Sequence, residues 1–187
     1  TGDVFANAQD YSGAASATVT GTVTLDADAG AGAINFTGTN LTGAGATLNV
    51  DLDAASTVTF AQVGAGGTEL SAVDVDTGIV AFTGDVFANA QDYSGAASAT
   101  ITGSRTLDAD AASGAITFNG TALTRTAGTD TLTLKGQAAD TLTLGSVGAA
   151  GAELATVTVN TGIAAFTGDV FADAQNYSNA ASATVTG

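Results

Sequence analysis

The chain has 187 residues, 45% of them hydrophobic but only 6% aromatic, and it contains no Cys, His, Pro, Met or Trp. Its formal net charge of −15 would repel nucleic-acid backbones and anionic membranes, so we expect neither as a partner. Without His and Cys the chain cannot form Ser-His-Asp or Cys-His nucleophile systems, and with no apolar run near the ~20 residues of a membrane helix we expect no membrane insertion.

Short apolar stretches with a period of two residues follow one another along the chain, and each predicts a β-strand. In the first half they are Thr22–Leu25, Ala33–Phe36, Thr47–Val50, Thr57–Phe60 and Ala72–Val75. Gly or Thr-Gly interrupts every longer candidate, which leaves no room for a helix. The sequence therefore predicts an all-β protein.

The same 21-residue segment occurs three times. Thr1–Gly21 returns at Thr83–Gly103 with one change and again at Thr167–Gly187. We therefore divide the chain into repeat 1 (1–82), repeat 2 (83–166) and the start of repeat 3 (167–187), and we expect one continuous array.

A period near 83 residues fits either a parallel β-helix with about four coils per repeat or a string of small, Ig-like β-sandwich domains. Bulky residues spaced by roughly twenty positions favour the β-helix, because one coil of such a solenoid uses about that many residues. We predict two stacked columns of these residues. One is Phe5, Leu25, Leu48, Leu70, Phe87, Leu107, Leu132, Leu154 and Phe171, and the other is Val19, Phe36, Phe60, Phe82, Ile101, Phe118, Leu144, Phe166 and Val185.

Two stretches carry a family resemblance. Leu70–Phe82, with its Thr-Gly turn and short apolar strand, is followed by Ala-Gln-Asp-Tyr-Ser-Gly-Ala at 90–96, a step that recurs at 8–14 and 174–180. Together they resemble the β-strand repeats in the shafts of giant bacterial surface exoproteins of the filamentous-haemagglutinin and autotransporter-adhesin type. The resemblance implies a right-handed parallel β-helix at the cell surface.

The regularly repeated Gln and Tyr side chains have two interpretations. They stand at Gln9, Gln91 and Gln175 and at Tyr11, Tyr93 and Tyr177. The spacing of two residues would let them form a structural ladder between coils, which we favour, or a carbohydrate-facing patch.

Carboxylates and hydroxyls are the remaining candidates for a chemical site, and among them the paired carboxylates are considered for metal binding. Asp26/Asp28 recurs as Asp108/Asp110, and residues two apart on a strand face the same side, so each pair offers oxygens to Ca²⁺. The alternative is that these aspartates cap strand ends. Glu69 and Glu153 are equivalent in the two repeats, and we expect turn residues there rather than catalysis.

The sequence thus predicts a non-enzymatic structural segment of a long extracellular fibre, adhesin shaft or sheath at the cell surface. We expect it to associate with neighbouring copies of itself, end to end or laterally, and surface polysaccharide is a further candidate partner. The alternative is a carbohydrate- or Ca²⁺-binding repeat module on the same fold. No cofactor is expected apart from that Ca²⁺.

Overall fold

The computed structural model describes residues 2–160 and 162–186, and all regular structure within them is β. In chain order the strands are β1 Val4–Phe5, β2 Gln9–Asp10, β3 Ser16–Thr18, β4 Thr22–Ala27, β5 Ile34–Asn35, β6 Asn40–Thr42, β7 Thr47–Leu52, β8 Thr57–Phe60, β9 Leu70–Val75, β10 Ile79–Phe82, β11 Val86–Asp92, β12 Ser98–Ile101, β13 Ser104–Asp108, β14 Ile116–Phe118, β15 Ala122–Arg125, β16 Thr131–Lys135, β17 Thr141–Leu144, β18 Leu154–Asn160, β19 Ile163–Phe166, β20 Ala172–Asn176 and β21 Ser182–Val185.

The strands wind into a three-sided parallel solenoid of about seven turns. Face 1 stacks β2, β5, β8, β10, β12 and β15; face 2 stacks β3, β6, the start of β11, β13, β16, β18 and β20; face 3 stacks β1, β4, β7, β9, the end of β11, β14, β17, β19 and β21. Every ladder between these strands is parallel, which confirms the predicted β-helix and excludes the antiparallel sandwich.

Inward-facing and outward-facing residues alternate along each strand, and the inward-facing residues form the core. In β7, Leu48, Val50 and Leu52 are buried, whereas the polar residues between them face outward. Stacking each strand directly on the next turn places like residues over like, as where Leu48 lies between Val23 and Val73. The core is therefore a narrow column of Leu, Val, Ile and Phe that runs the length of the solenoid.

One sequence repeat does not correspond to a whole number of turns. Gln9 lies on face 1 and is followed there, turn by turn, by Ile34, Val58 and Val80, which makes three full turns. Gln91 lies two faces beyond Val80, on face 3 beside Val73. A repeat therefore spans three and two-thirds turns, slightly fewer than the predicted four, and each copy is displaced by one face from the previous copy.

One of the two predicted columns exists in part and the other does not. Phe36, Phe60, Phe82 and Ile101 stack on face 1, and Phe118, Leu144, Phe166 and Val185 stack on face 3. The other column is wrong. Phe5 pairs with Asp26 and is 71% exposed, while its neighbour Val4 points inward over Leu25. The face of the strand, not residue size alone, decides which side chain is buried.

No helix among the described residues is long and apolar enough to cross a membrane.

Candidate functional site

Three carboxylates of repeat 1 converge on face 3. Asp26 is an outward-facing residue of β4, Asp51 occupies the paired position on β7, and Asp28 lies just beyond the end of β4. One carboxylate oxygen from each lies within 4.8 Å of the others. We call Asp26, Asp28 and Asp51 the acidic cluster.

Local hydrogen bonding fixes the geometry of this cluster. The Asp28 backbone N–H donates to Asp26 Oδ1 at 3.2 Å, which is the strand-end cap that the sequence offered as the alternative to a metal site. The pKa of the Asp28 carboxyl is raised, first through its hydrogen bond with Asp26 and then through repulsion from Asp26 and Asp51. The two neighbouring carboxylates therefore oppose ionisation of Asp28.

The acidic surface extends beyond these three residues. A shallow recess next to Asp51 is bordered by Asp74 and Asp76 of the following turn. Burial raises the pKa of Asp74, and the nearby carboxylates Asp92 and Asp76 raise it further. Face 3 of repeat 1 is thus an acidic strip along successive turns.

The corresponding positions in repeat 2 lie on face 2 and have a different charge. Asp108 and Asp110 repeat the strand-end cap, with the Asp110 N–H donating to Asp108 Oδ1 at 3.1 Å. The residue paired with Asp108 is Lys135, whose Nζ donates to Asp108 Oδ2 at 3.0 Å. That hydrogen bond, followed by the negative charge of Asp108, raises the pKa of Lys135 although partial burial opposes the shift. An ammonium group therefore compensates the negative charge in repeat 2.

The structure brings Asp26 and Asp28 together with Asp51, and Asp108 and Asp110 together with Lys135. Neither Asp51 nor Lys135 was assigned to these sites from the sequence. The missing signal was the step of 25 residues from Asp26 to Asp51, which equals the step from Leu25 to Val50 in the core.

Chemically, the three oxygens of the acidic cluster suit a hard cation such as Ca²⁺, which prefers six to eight oxygen ligands. In repeat 2 the Lys135 ammonium already neutralises Asp108. The Ca²⁺ assignment for Asp26, Asp28, Asp108 and Asp110 stays a prediction.

The Gln and Tyr pairs form structural contacts, as favoured from the sequence. Gln91 Nε2 donates to Ala88 O at 3.2 Å and to Asp108 O of the next turn at 2.9 Å, while Tyr93 Oη donates to Gln91 Oε1 at 3.2 Å. Gln91 and Tyr93 are 1% and 0% exposed, so neither offers a surface to carbohydrate. Gln9 and Tyr11 repeat the contact, with the Tyr11 hydroxyl 2.9 Å from Gln9 Oε1.

Glu69 and Glu153 each accept a hydrogen bond from the amide two residues earlier, that of Gly67 and that of Gly151. For Glu153, these backbone hydrogen bonds, led by the one from Gly151, hold the pKa below its usual value. Each glutamate thus stabilises a turn in the same way in both repeats.

Comparison of the chain with protein-family models, with characterised proteins and with solved structures finds no match.

Proposed function

We propose that this chain is a structural, non-enzymatic segment of a long extracellular fibre, such as an adhesin shaft or a sheath at the cell surface. Neighbouring copies of the repeat extend it along its axis. Its action is mechanical, because it separates what is attached at its two ends by a fixed distance.

The observation that carries this proposal is the join between repeats 1 and 2. Val86, Tyr93, Ala99 and Ile101 belong to the 21-residue segment that opens repeat 2, and each is 0% exposed. They are covered on one side by Val63, β9 and β10 of repeat 1 and on the other by β13 to β15 of repeat 2. A join as well packed as the interior gives a stiff rod, whereas domains connected by linkers would bend between units.

Two further features support the extracellular setting. The resemblance of Leu70–Phe82 and its neighbours to surface exoprotein repeats implies a location outside the cell. The excess of 18 carboxylates over three cationic side chains also suits a salty exterior, where counterions screen neighbouring charges.

Chains carrying two, three and four repeats test the proposal by small-angle scattering. We expect each added repeat to lengthen the particle by ~18 Å, from three and two-thirds turns at ~4.8 Å each, with an unchanged cross-section. A cross-section that grows with repeat number, or repeats that move independently, would contradict a continuous shaft.

A second candidate function is cation binding by the acidic cluster, favoured by the three carboxylates whose oxygens lie within 4.8 Å of one another. Calorimetric titration with Ca²⁺, and with Mg²⁺ at the same ionic strength, tests it. A saturable Ca²⁺ signal that Asp51→Asn removes and Asp53→Asn retains would support a site. Equal, non-saturable responses to both ions would indicate general screening.

A further inference from the structure

Two arginines of repeat 2 stand at one corner of the solenoid, between faces 1 and 2. Arg125 ends β15 and is paired with Ile101, and Arg105 lies in β13, four residues after Ile101. Both occupy register positions that point toward the core. The equivalent residue in repeat 1 is Val23 for Arg105 and Gly43 for Arg125. Their guanidinium groups are therefore not required by the fold. We call Arg105 and Arg125 the arginine corner.

The corner loop does not neutralise these cations. Asp130, the acidic residue nearest to Arg125 in sequence, accepts hydrogen bonds from Gly103 N at 2.9 Å, Thr126 N at 2.9 Å, Thr126 Oγ1 at 3.0 Å and Ala127 N at 2.7 Å. These contacts use both of its oxygens to hold the loop of residues 126–130, which includes the two residues by which repeat 2 exceeds repeat 1.

The arginines themselves have few partners. The Nε–H groups of Arg105 and Arg125 find no acceptor, and Arg105 Nη1 donates to Ser104 O at 2.9 Å. Among the residues described, Lys135–Asp108 is the only ion pair, so neither guanidinium has a carboxylate within 4.0 Å. The nearby Glu153 carboxylate interacts with the charge of Arg125 from beyond that distance, which contributes a minor part of the lowered pKa of Glu153. Both residues are partly exposed as a whole, although the Nε atom of each guanidinium group is buried.

The complementary surface lies on the same chain but too far away to be reached. The acidic cluster and Asp76 occupy face 3 about three turns before the arginine corner, which is ~14 Å along the axis. A second chain lying alongside and offset by that distance would bring its acidic cluster opposite the corner. Guanidinium groups bind carboxylates through two parallel hydrogen bonds, which suits closely spaced aspartates.

We propose that the arginine corner of one chain binds the acidic cluster of a second copy and so joins parallel shafts side by side. The contact uses different surfaces on the two partners, so each pair of chains still has one unoccupied arginine corner and one unoccupied acidic cluster. Further chains can bind there, which extends the assembly into a staggered array. At physiological ionic strength the Debye length of about 8 Å screens the mutual repulsion of two chains of charge −15, while pairs in direct contact persist. This inference deepens the proposed function by naming a lateral partner surface.

Sedimentation velocity of the intact chain at 0.15 M salt, over a range of protein concentrations, tests the contact. Arg105→Val, which introduces the residue found in repeat 1, and Arg125→Gln should together weaken association about tenfold or more. Lys135→Gln is the matched control, because it also removes a cation and should leave association unchanged. Circular dichroism verifies that each variant keeps its fold, and 1 M salt should dissociate the parent protein.

A charge exchange makes the test specific. Arg105→Glu with Arg125→Glu, and separately Asp26→Lys with Asp51→Lys, should each abolish self-association, while an equimolar mixture of the two variants should restore it. Folded arginine variants that associate like the parent, or a mixture that stays unassociated, would overturn the proposal. It would also be overturned if the parent remains a single rod but binds a sulphated polysaccharide through these arginines, since the corner would then serve a glycan. The scattering experiment measures the length of the particle, whereas sedimentation measures lateral association. The proposed shaft function and the proposed lateral contact can therefore be rejected independently of each other.

Discussion

Gln91 and Tyr93 place three hydrogen-bonding groups inside a core that is otherwise hydrocarbon. The arrangement is stable because each finds a partner: the amide N–H groups reach backbone carbonyls of two turns, and the phenol donates to the amide oxygen. A buried polar atom left without such a partner costs about 1–3 kcal/mol. The pair therefore acts as a unit in which each residue requires the other.

Tyr93→Phe tests this dependence. Removing the hydroxyl leaves Gln91 Oε1 without its donor, so we expect a loss of about 1–3 kcal/mol in the free energy of unfolding at neutral pH, measured by urea denaturation. Tyr177→Phe is the control, because its acceptor Gln175 is exposed and water can replace the hydroxyl. Equal losses in the two variants would contradict the buried pair.

The same residue predicts a dependence on alkaline pH. Burial, with a smaller contribution from the charge of Asp92, raises the pKa of the Tyr93 phenol above its unfolded value near 10. Because the unfolded chain ionises first, stability is fully present below pH ~10 and falls above it, by up to ~1.4 kcal/mol per pH unit. Urea titrations between pH 8 and 11 should show a shallower decline for Tyr93→Phe. Burial also raises the pKa values of Tyr11 and Tyr177, so some decline should remain.

Gly64 is required by its backbone and by its neighbour. Its φ of +65° is in the left-handed region, and a Cβ there would lie 2.2 Å from Phe87 O of the next turn. We expect Gly64→Ala to cost at least ~1–2 kcal/mol from the backbone conformation alone, with the steric contact added. Gly66→Ala, where a Cβ would meet open space, should change stability little, and a thermal melt distinguishes them.

At the scale of whole strands, the aromatic ladder links successive turns and then changes face. Phe60 and Phe82 stack on face 1 with ring centroids 6.4 Å apart, and Phe82 then contacts Tyr93 at 5.1 Å and Phe118 at 6.3 Å across the core. Through Phe82 the ladder passes from β10 on face 1 to β14 on face 3, where repeat 2 continues it.

Phe82→Ala should therefore be among the most damaging core changes. Removing a fully buried Phe typically costs about 3–5 kcal/mol. Phe87→Ala removes the same atoms from a partly exposed, outward-facing position and should cost much less. Equal shifts in melting temperature would show that the inward and outward assignments of β10 and β11 are wrong.

Exchanging paired residues between repeats tests the strand register. Asp51→Lys should place an ammonium beside Asp26, as Lys135 stands beside Asp108, and should raise the melting temperature at low salt. Lys135→Asp should create three crowded carboxylates and lower it. Because the sites are partly exposed, each effect should be at most ~1 kcal/mol and should shrink in 1 M salt. Changes of the same sign in both variants would contradict the proposed pairing.

The strands and their parallel stacking were predictable because alternation and the spacing of Phe36, Phe60 and Phe82 are local signals. The actual neighbours of Phe5 and Phe87 were not predictable in this way, because the number of residues per turn is not constant. It varies from 18, between Val73 and Gln91, to 27, between Leu107 and Leu134. Such variation shifts which residue of a strand points inward. For the same reason, Asp51 could not be assigned to Asp26 until the register was known.

Charge acts on the molecule as a whole. With 18 carboxylates and three cationic side chains, self-repulsion opposes the compact state. We expect the melting temperature to rise from 10 to 150 mM NaCl as the Debye length falls from about 30 to 8 Å. Calorimetry measures it, and the same experiment with KCl checks that the response is not specific to one ion. A melting temperature that falls with salt would mean that attractive pairs dominate.

Because each repeat spans a fractional number of turns, a group attached once per repeat faces a different direction in successive repeats. Each copy is rotated by one face relative to the last, so a label attached at one chosen position would follow a spiral path, with successive labels 120° apart. Three copies complete eleven turns, and only then does a label return to its starting face, ~53 Å further along. A flat surface lying against the shaft would thus meet the same site on every third copy, and a coat of bound proteins would wrap around the rod instead of lining one side.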